Sequence, residues 1–519
     1  MTDCILAIDN GTQSLRALIF DLSGNCLAMQ KVVFDPPYFS VEPGWAEQDP
    51  QVFWDALCQA CQSLWAQGID HRRLLGMAIT TQRSTVVNVD IQGRPLRPAM
   101  VWLDQRRTEG VPPIAGFWGA VLGVAGLSKV VRNVQAETEA NWISRFEPEV
   151  WKKTHKYLLL SGYLHHRLTG TYVDSVGNQV GYIPFNYKRQ FWATKRDFKW
   201  NLAPFHEGHF PELYTPGEVL GCVSKEASFE TGLPEGLAIY AAASDKACEV
   251  LGSGVYDRHQ ACISYGTTAS INVNSSRYLE PLAFMPAFPS AIAHQYNLEL
   301  QIYRGYWMVS WFKSEFCNHE VQLAQTLGVE VEALLDDLVD RVPAGSLGLM
   351  LQPYWTPSLG QTPVTKGAVI GFGDIHGRSH LYRSILEGVA YGIREAKERL
   401  EKKTRTPLTD VRIAGGGSRS RSAMQLTSDI LGLPVTRPKV SEASGLGAAI
   451  VVALGAKCYD HPSQAIRSMV SLGETFEPIV SHAHTYDRLY KEVYLKMYAR
   501  LDPLYRRIQE ITGYPKLSQ

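Results

Sequence analysis

The sequence predicts an α/β protein of two large domains related by internal duplication. Three observations carry this: a length of 519 residues, an alternation of strand-like and helix-like segments, and a strand–Gly–Thr–strand unit that occurs twice, at Gly11-Thr12 and Gly266-Thr267, about 255 residues apart. Such a length exceeds one ordinary core and suffices for two. Alternating strand and helix patterns imply α/β layers, and self-similar units imply a duplicated domain.

The elements follow in order. CILAIDNGTQSLRALIFDLSGN reads as a strand, a polar turn at Asn10-Gly11-Thr12, a second strand from Leu15 to Phe20, and a turn at Ser23-Gly24-Asn25. Asp49-Pro50 opens a helix bearing Phe53, Leu57 and Leu64, and GMAITTQRSTVVNVD returns to β-branched strand composition. From about Gly110 to Pro234, helical patches around Trp142 to Tyr157 and aromatic loops such as IPFNYKRQFW predict a cap or insertion on the first domain. LAIYAAASDKACEVLGSG followed by ACISYGTTASINVN then repeats the opening hairpin, which puts the boundary near residue 250 and the domains at 1–249 and 250–519. A helix carrying Ile385, Val389, Ile393, Ala396 and Leu400 follows. VRIAGGGSRSRSAMQLTSDILGLPV comes next, a strand meeting three glycines and a helix, and the chain closes on a Tyr-rich helical tail from Tyr486. With no low-complexity linker between them, the domains are expected to share a hinge rather than a tether.

Composition narrows the partners. Lys plus Arg and Asp plus Glu both number 51, so no global positive field draws nucleic acid or an anionic membrane, and a small molecule is the expected partner. MTDCILAIDNG lacks the basic-then-apolar pattern of an export signal, and no run of about 18 apolar residues is present, so a cytoplasmic protein with no membrane span is expected. Nine cysteines without a regular framework read as reduced thiols, and Cys58-x-x-Cys61 lies at helical spacing in an apolar segment, which favours packing over metal binding.

Four places carry candidate chemistry. In Asp9-Asn10-Gly11-Thr12, Gly11 lets backbone N–H groups approach an anion, Thr12 and Ser14 add hydroxyls, and Arg16 adds fixed positive charge. Alone this would be an ordinary Asn-Gly hairpin; the second turn, Tyr265-Gly266-Thr267-Thr268, turns the balance toward phosphate binding. Gly415-Gly416-Gly417-Ser418, between strand and helix, permits close approach of a flat ring or phosphate. The chain has neither the Walker nor the protein-kinase motifs, so a nucleotide site must be of another design. Asp245, after a run of small residues, is either a helix N-cap or a base that accepts a substrate hydroxyl proton. Gln82-Arg83 and Trp102-Leu103-Asp104-Gln105-Arg106 combine hydrogen-bonding forks with an aromatic face, a pattern suited to carbohydrate, whereas Arg107 reads as solvated.

These residues sit in segments that resemble the FGGY carbohydrate kinases over nearly the whole chain. The carriers are DNGTQSLRALIFD, TTQRSTVV, MVWLDQR, SDKACEVLGSG with YGTT, GAVIGFGDIHGRSHLYRSILEGVAY, and AGGGSRSRSAMQLTSDILGLPV with EASGLGAAI. The resemblance implies two actin-like (ribonuclease H-like) ATPase domains with a central cleft, ATP and Mg2+ as cofactors, and a sugar or polyol as acceptor. It implies that Asp245 is the catalytic base and that Asp9, with Asp245, holds the metal. It implies that Gly11, Thr12, Gly266 and Thr267 surround the ATP phosphates, that Gly415 and Gly416 lie beside the adenosine, and that Gln82, Arg83 and Trp102 lie near the sugar. A homodimer is kept open as the assembly.

Departures from the family pattern bear on the substrate. Lys246 stands where many members have an amide, Ser84 replaces the acidic residue that follows the arginine in glycerol kinases, Phe372 replaces a smaller aliphatic residue, and YWTPSLG from Tyr354 replaces a GER-x-P segment. The first family signature is poorly matched around Asn141-Trp142. Ser84 predicts a roomier pocket, filled by a xylulose- or ribulose-like ketose first, an acidic or unusual sugar such as the autoinducer second, and glycerol third. An actin-like nucleotide switch and a non-catalytic sugar-binding regulator are the rival classes; neither needs Asp9, Asp245 and a sugar pocket together.

Overall fold

The computed structural model describes residues 3–329, 331–356 and 364–514. Part of the segment that departs from the family pattern, 357–360, lies outside them. The chain forms two compact units, one of Met1–Gly254, Phe288–Tyr296 and Glu442–Val470, the other of Val255–Ala287, Asn297–Ser441 and Ser471–Gln519. The stretch 442–470, late in sequence, therefore folds with the first unit.

The first unit is built on strands β1 (Cys4–Asn10), β2 (Ser14–Asp21), β3 (Cys26–Val33), β4 (Leu74–Thr81), β5 (Val219–Cys222) and β6 (Ala238–Tyr240), in the order β5-β6-β4-β1-β2-β3. β1 pairs antiparallel with β2 and parallel with β4. Both sheet faces are covered, so β1 is buried along its whole length. Leu6 and Ile8 join a core with helix α1 (Pro50–Ala66), whose Phe53, Leu57, Ala60, Cys61 and Leu64 recur at helical spacing. Asp49 caps α1 by accepting from Gln51 N, and Pro50 occupies the first turn, where its missing N–H costs nothing. Cys61 is buried in this core as a free thiol. The region from 110 onward contributes short helices, and a small separate sheet joins Glu47–Gln48, Ala99–Met100, Val86–Val89 and Lys156–Leu159.

In the second unit, β7 (Gln260–Tyr265), β8 (Ala269–Ser275), β9 (Tyr296–Ile302), β10 (Asp410–Ala414), β11 (Val435–Pro438) and β12 (Leu472–Phe476) run in the order β9-β8-β7-β10-β11-β12. β7 is antiparallel to β8 and parallel to β10, and β11 is antiparallel to the edge strand β12, as β6 is to β5. Six strands of one sheet thus correspond to six of the other, with an antiparallel pair at the same edge, although the outer strand of that pair comes earlier in the chain than its partner in the first unit (β5) and later in the second (β12).

Two helices of the first unit cross unusually closely. On α2 (Asp245–Gly252), a Cβ on Gly252 would lie 1.9 Å from the carbonyl oxygen of Ala443; on α3 (Ala443–Gly455), one on Gly447 would lie 1.9 Å from that of Cys248. Only glycine permits this approach, which seats the middle and the end of α2 directly on α3. Among the described residues, no helix is long and apolar enough to cross a membrane.

Candidate active site

The β1–β2 register places Arg16 directly across from Asp9. Its Nη1 lies 3.5 Å from Asp9 Oδ2, and its Nε lies 3.1 Å from the carboxylate of Glu442, at the start of α3. Arg16 is thus held between two carboxylates of its own unit. Burial is the main reason the Asp9 carboxyl is pushed up to about 7; Arg16 opposes it, and the carboxylates of Asp245, Glu442 and Glu249 add to it.

Asp245 is the first residue of α2, and Ser244 takes the N-cap position, so the N-cap alternative for Asp245 does not hold. The small residues before it explain its placement. Ala241, Ala242 and Ala243 are fully buried, and the backbone of residues 242–244 is held from β4 and from Ser175 and Gly177. Thr80 Oγ1 donates to Ala243 O at 2.8 Å, Ser175 Oγ donates to Ala242 O, and Ser244 N donates to Gly177 O at 3.1 Å. Burial raises the Asp245 carboxyl, while the charges of Arg83 and Lys246 and the Lys246 backbone N–H, 2.7 Å from Oδ1, pull it back toward ionisation. Lys246 Nζ is itself paired with Glu249 at 2.8 Å, one helical turn on.

The first glycine turn differs from the expectation of free N–H groups. Gly11 N donates within the hairpin to Ser14 O at 3.1 Å. Thr12 Oγ1 donates to Gln82 Oε1 at 3.0 Å and accepts from Trp102 Nε1 at 2.8 Å. Gln82, Thr12 and Trp102 therefore form one contiguous group, with the Trp102 ring 40% exposed and open to a ligand. Arg83 lies with its guanidinium over the Phe288 ring, 5.3 Å from the centroid, and Tyr187 meets that ring edge-on. Ser84 holds a left-handed backbone (φ 56°) and donates to Val180 O at 3.0 Å, so its hydroxyl secures a loop. Arg106 is buried, bonded to Asp104 and Glu47 and sandwiched by Trp45 and Trp142. It braces the segment that carries Trp102.

In the second unit, Gly266 and Thr267 accept at their carbonyls from Tyr306 N and Trp307 N, both at 3.2 Å. The three glycines after β10 play different parts. Gly415 has φ 83° and abuts the Tyr265 backbone, a Cβ on Gly417 would strike the Tyr306 ring at 2.2 Å, and one on Gly416 would meet nothing within 4 Å. Gly416 alone faces open space. Ser420 and the N–H of Arg421 bond to Asp336, at 2.5 and 3.0 Å. Sequence reasoning missed Phe288, Tyr187, Glu442, Tyr306 and Asp336. Each reaches its partner through the fold, although EASGLGAAI had already marked the neighbourhood of Glu442.

Two sheets that correspond strand for strand around a central hairpin with a glycine turn mark an actin-like ATPase fold. The N-terminal domain model of the FGGY family of carbohydrate kinases matches residues 4–252, and the C-terminal domain model of the same family matches residues 261–456. The protein belongs to that family and is a carbohydrate kinase, a phosphotransferase. It is 28% identical over 511 residues to the "Uncharacterized sugar kinase YgcE" of Escherichia coli (strain K12), covering 98% of this chain and 96% of that one. It is 29% identical over 484 residues to the glycerol kinase of Thermococcus gammatolerans, covering 91% and 93%. The crystal structure of xylulose kinase from Rhodospirillum rubrum superimposes with a TM-score of 0.79 at 26% identity, over 97% of this chain and 100% of that one.

Proposed function

We propose that the protein transfers the γ-phosphoryl group of ATP to a hydroxyl of an uncharged sugar, a ketopentose such as xylulose or ribulose, with Asp245 as base and with Mg2+ held by Asp9 and Asp245. The observation that carries this is the pair of carboxylates, Asp9 and Asp245, each raised by burial, with the charge of Asp245 among the causes at Asp9. Such a pair fits a hard divalent cation that takes one or two carboxylates and completes its shell with phosphate oxygens and water. For the nucleotide, the open space over Gly416 and the turn at Gly266, where a Cβ would meet only its own turn, are suited to close approach.

Bound magnesium nucleotide supplies the electrophilic phosphoryl group and neutralises charge on its leaving oxygens. Asp245 takes the proton of the attacking hydroxyl as that oxygen bonds to phosphorus and the bond to ADP breaks. Arg83 and Lys246 favour the ionised form that a base requires. The Trp102 ring offers a face to the carbon chain of the sugar, while Gln82, tied to Thr12, offers its amide to a hydroxyl. Lys246, a positive charge close to the base that could favour an acidic sugar, is offset by its pairing with Glu249.

Turnover of ATP measured against D-xylulose, D-ribulose, an aldonic acid and glycerol tests the assignment. A ketopentose should give the highest kcat/KM, with glycerol lower by about 100-fold or more, because unfilled hydrogen-bonding groups penalise a shorter substrate. Glycerol or the aldonic acid leading the panel overturns it.

A further inference from the structure

The second unit contains a cavity of about 240 Å3 that none of the chemistry above uses. Its floor is Gln352, on a short strand (Met350–Gln352); one wall is the helix Arg378–Thr404, through Gly392 and Glu395, and the other is the C-terminal helical tail, through Tyr494 and Tyr498. Tyr354, from the segment that departs from the family pattern, also lines it.

Two independent features mark it as more than a packing fault. Gln352 is 1% exposed and has Oε1 bonded to the Tyr505 hydroxyl at 3.3 Å, while Nε2 has no partner. A buried amide left half-satisfied is uncommon in a native protein and calls for a ligand or ordered water. The tail also departs from α-helix to a π-helical turn at Tyr490–Tyr494, where it delivers Tyr494 to the cavity; π-turns recur at functional sites because they redirect side chains at a cost in backbone geometry.

The lining defines the ligand chemistry. Glu395 accepts from the Tyr354 hydroxyl at 2.8 Å and is paired with Arg399 at 2.5 Å, so its charge is compensated. The Tyr354 and Tyr494 hydroxyls lie 3.3 Å apart, and their rings, with Tyr498, offer apolar faces. Hydrogen-bonding groups at the floor and wall, aromatic faces between them and a compensated charge suit a molecule with many hydroxyls on a short carbon frame. At about 30 Å3 per water volume, the space takes roughly eight waters or a ligand of about ten non-hydrogen atoms. We propose that this cavity is a second binding site, for an uncharged monosaccharide or polyol, with Gln352 as its hydrogen-bonding anchor.

The test is calorimetric titration of the full-length protein with xylitol, D-ribose and glycerol, in wild type, Gln352→Leu and Ala499→Trp. Ala499 is an exposed residue at the cavity rim, so its replacement obstructs entry without touching the core. For at least one probe, wild type should bind a second equivalent per chain. Both variants should weaken that equivalent by about tenfold or more, the effect of a lost hydrogen bond or a blocked mouth, with phosphotransfer unchanged. One equivalent or none for all three probes, or a second equivalent untouched in both variants, overturns the proposal. It stands apart from the ketopentose assignment, since a different substrate ranking leaves the second equivalent in place.

Discussion

Trp102 Nε1 donates to Thr12 Oγ1 at 2.8 Å, and the same hydroxyl donates to Gln82 Oε1 at 3.0 Å. A residue of the first glycine turn and two residues proposed for the sugar therefore share one atom. Thr12→Val keeps the shape and removes both bonds, and it should raise KM for sugar and for ATP together, each by about 3- to 10-fold. Combined with Trp102→Phe, it should show a coupling of about 1 kcal/mol. Strict additivity in that double-mutant cycle would mean that the Trp102–Thr12 bond is idle.

Asp245→Asn keeps size and hydrogen bonding but removes the proton acceptor. Single-turnover kinetics should show a phosphotransfer step slower by about 100- to 10,000-fold, with the sugar dissociation constant changed by less than about threefold. Wild-type chemistry in that variant removes Asp245 from the mechanism.

The raised carboxyl of Asp9, near 7 against an ordinary 3.8, makes a pH prediction of definite sign. Cation binding needs the ionised form, so below about pH 7 a proton must leave first, and the affinity for magnesium nucleotide should fall as pH falls, approaching tenfold per unit. Without ligand the folded protein binds this proton more tightly than the unfolded chain, so the ionic cost is absent below 3.8 and grows as pH rises toward 7. Asp9→Asn should therefore raise the melting temperature by a few degrees at pH 8 and leave it unchanged at pH 4. Scanning calorimetry at the two pH values checks the sign.

Gly447→Ala places a methyl group 1.9 Å from the Cys248 carbonyl oxygen. Overpacking there should cost about 1–3 kcal/mol and push α2 off its seat. Because Asp245 opens that helix, kcat should fall further than KM rises, while melting drops by several degrees. Unaltered kcat in a destabilised variant would show that the crossing serves stability alone.

Local pattern explains what was legible beforehand. The two hairpins, helix α1, the small-residue run before Asp245 and the strand-to-helix turn at Gly415–Gly417 all follow from residues adjacent in sequence, where periodicity and turn chemistry act. Arg106 shows the limit of that reading. Its segment read as a sugar-binding loop, yet its guanidinium lies buried between Trp45 and Trp142, a partner set that no spacing within the segment encodes.

The sequence by itself determined the fold class, the duplication and the carboxylates and glycine turns to examine, since hydrophobic alternation fixes which residues of a strand are buried and which end in a turn. The tertiary structure decided their company. Phe288 comes beneath Arg83, Glu442 comes beside Arg16, and residues 442–470 join the first unit. Those outcomes depend on which helix and sheet faces pack together, as where Gly252 and Gly447 let two helices touch backbone to backbone. Packing of that kind is settled by the fit of distant surfaces, which is a property of the folded chain as a whole.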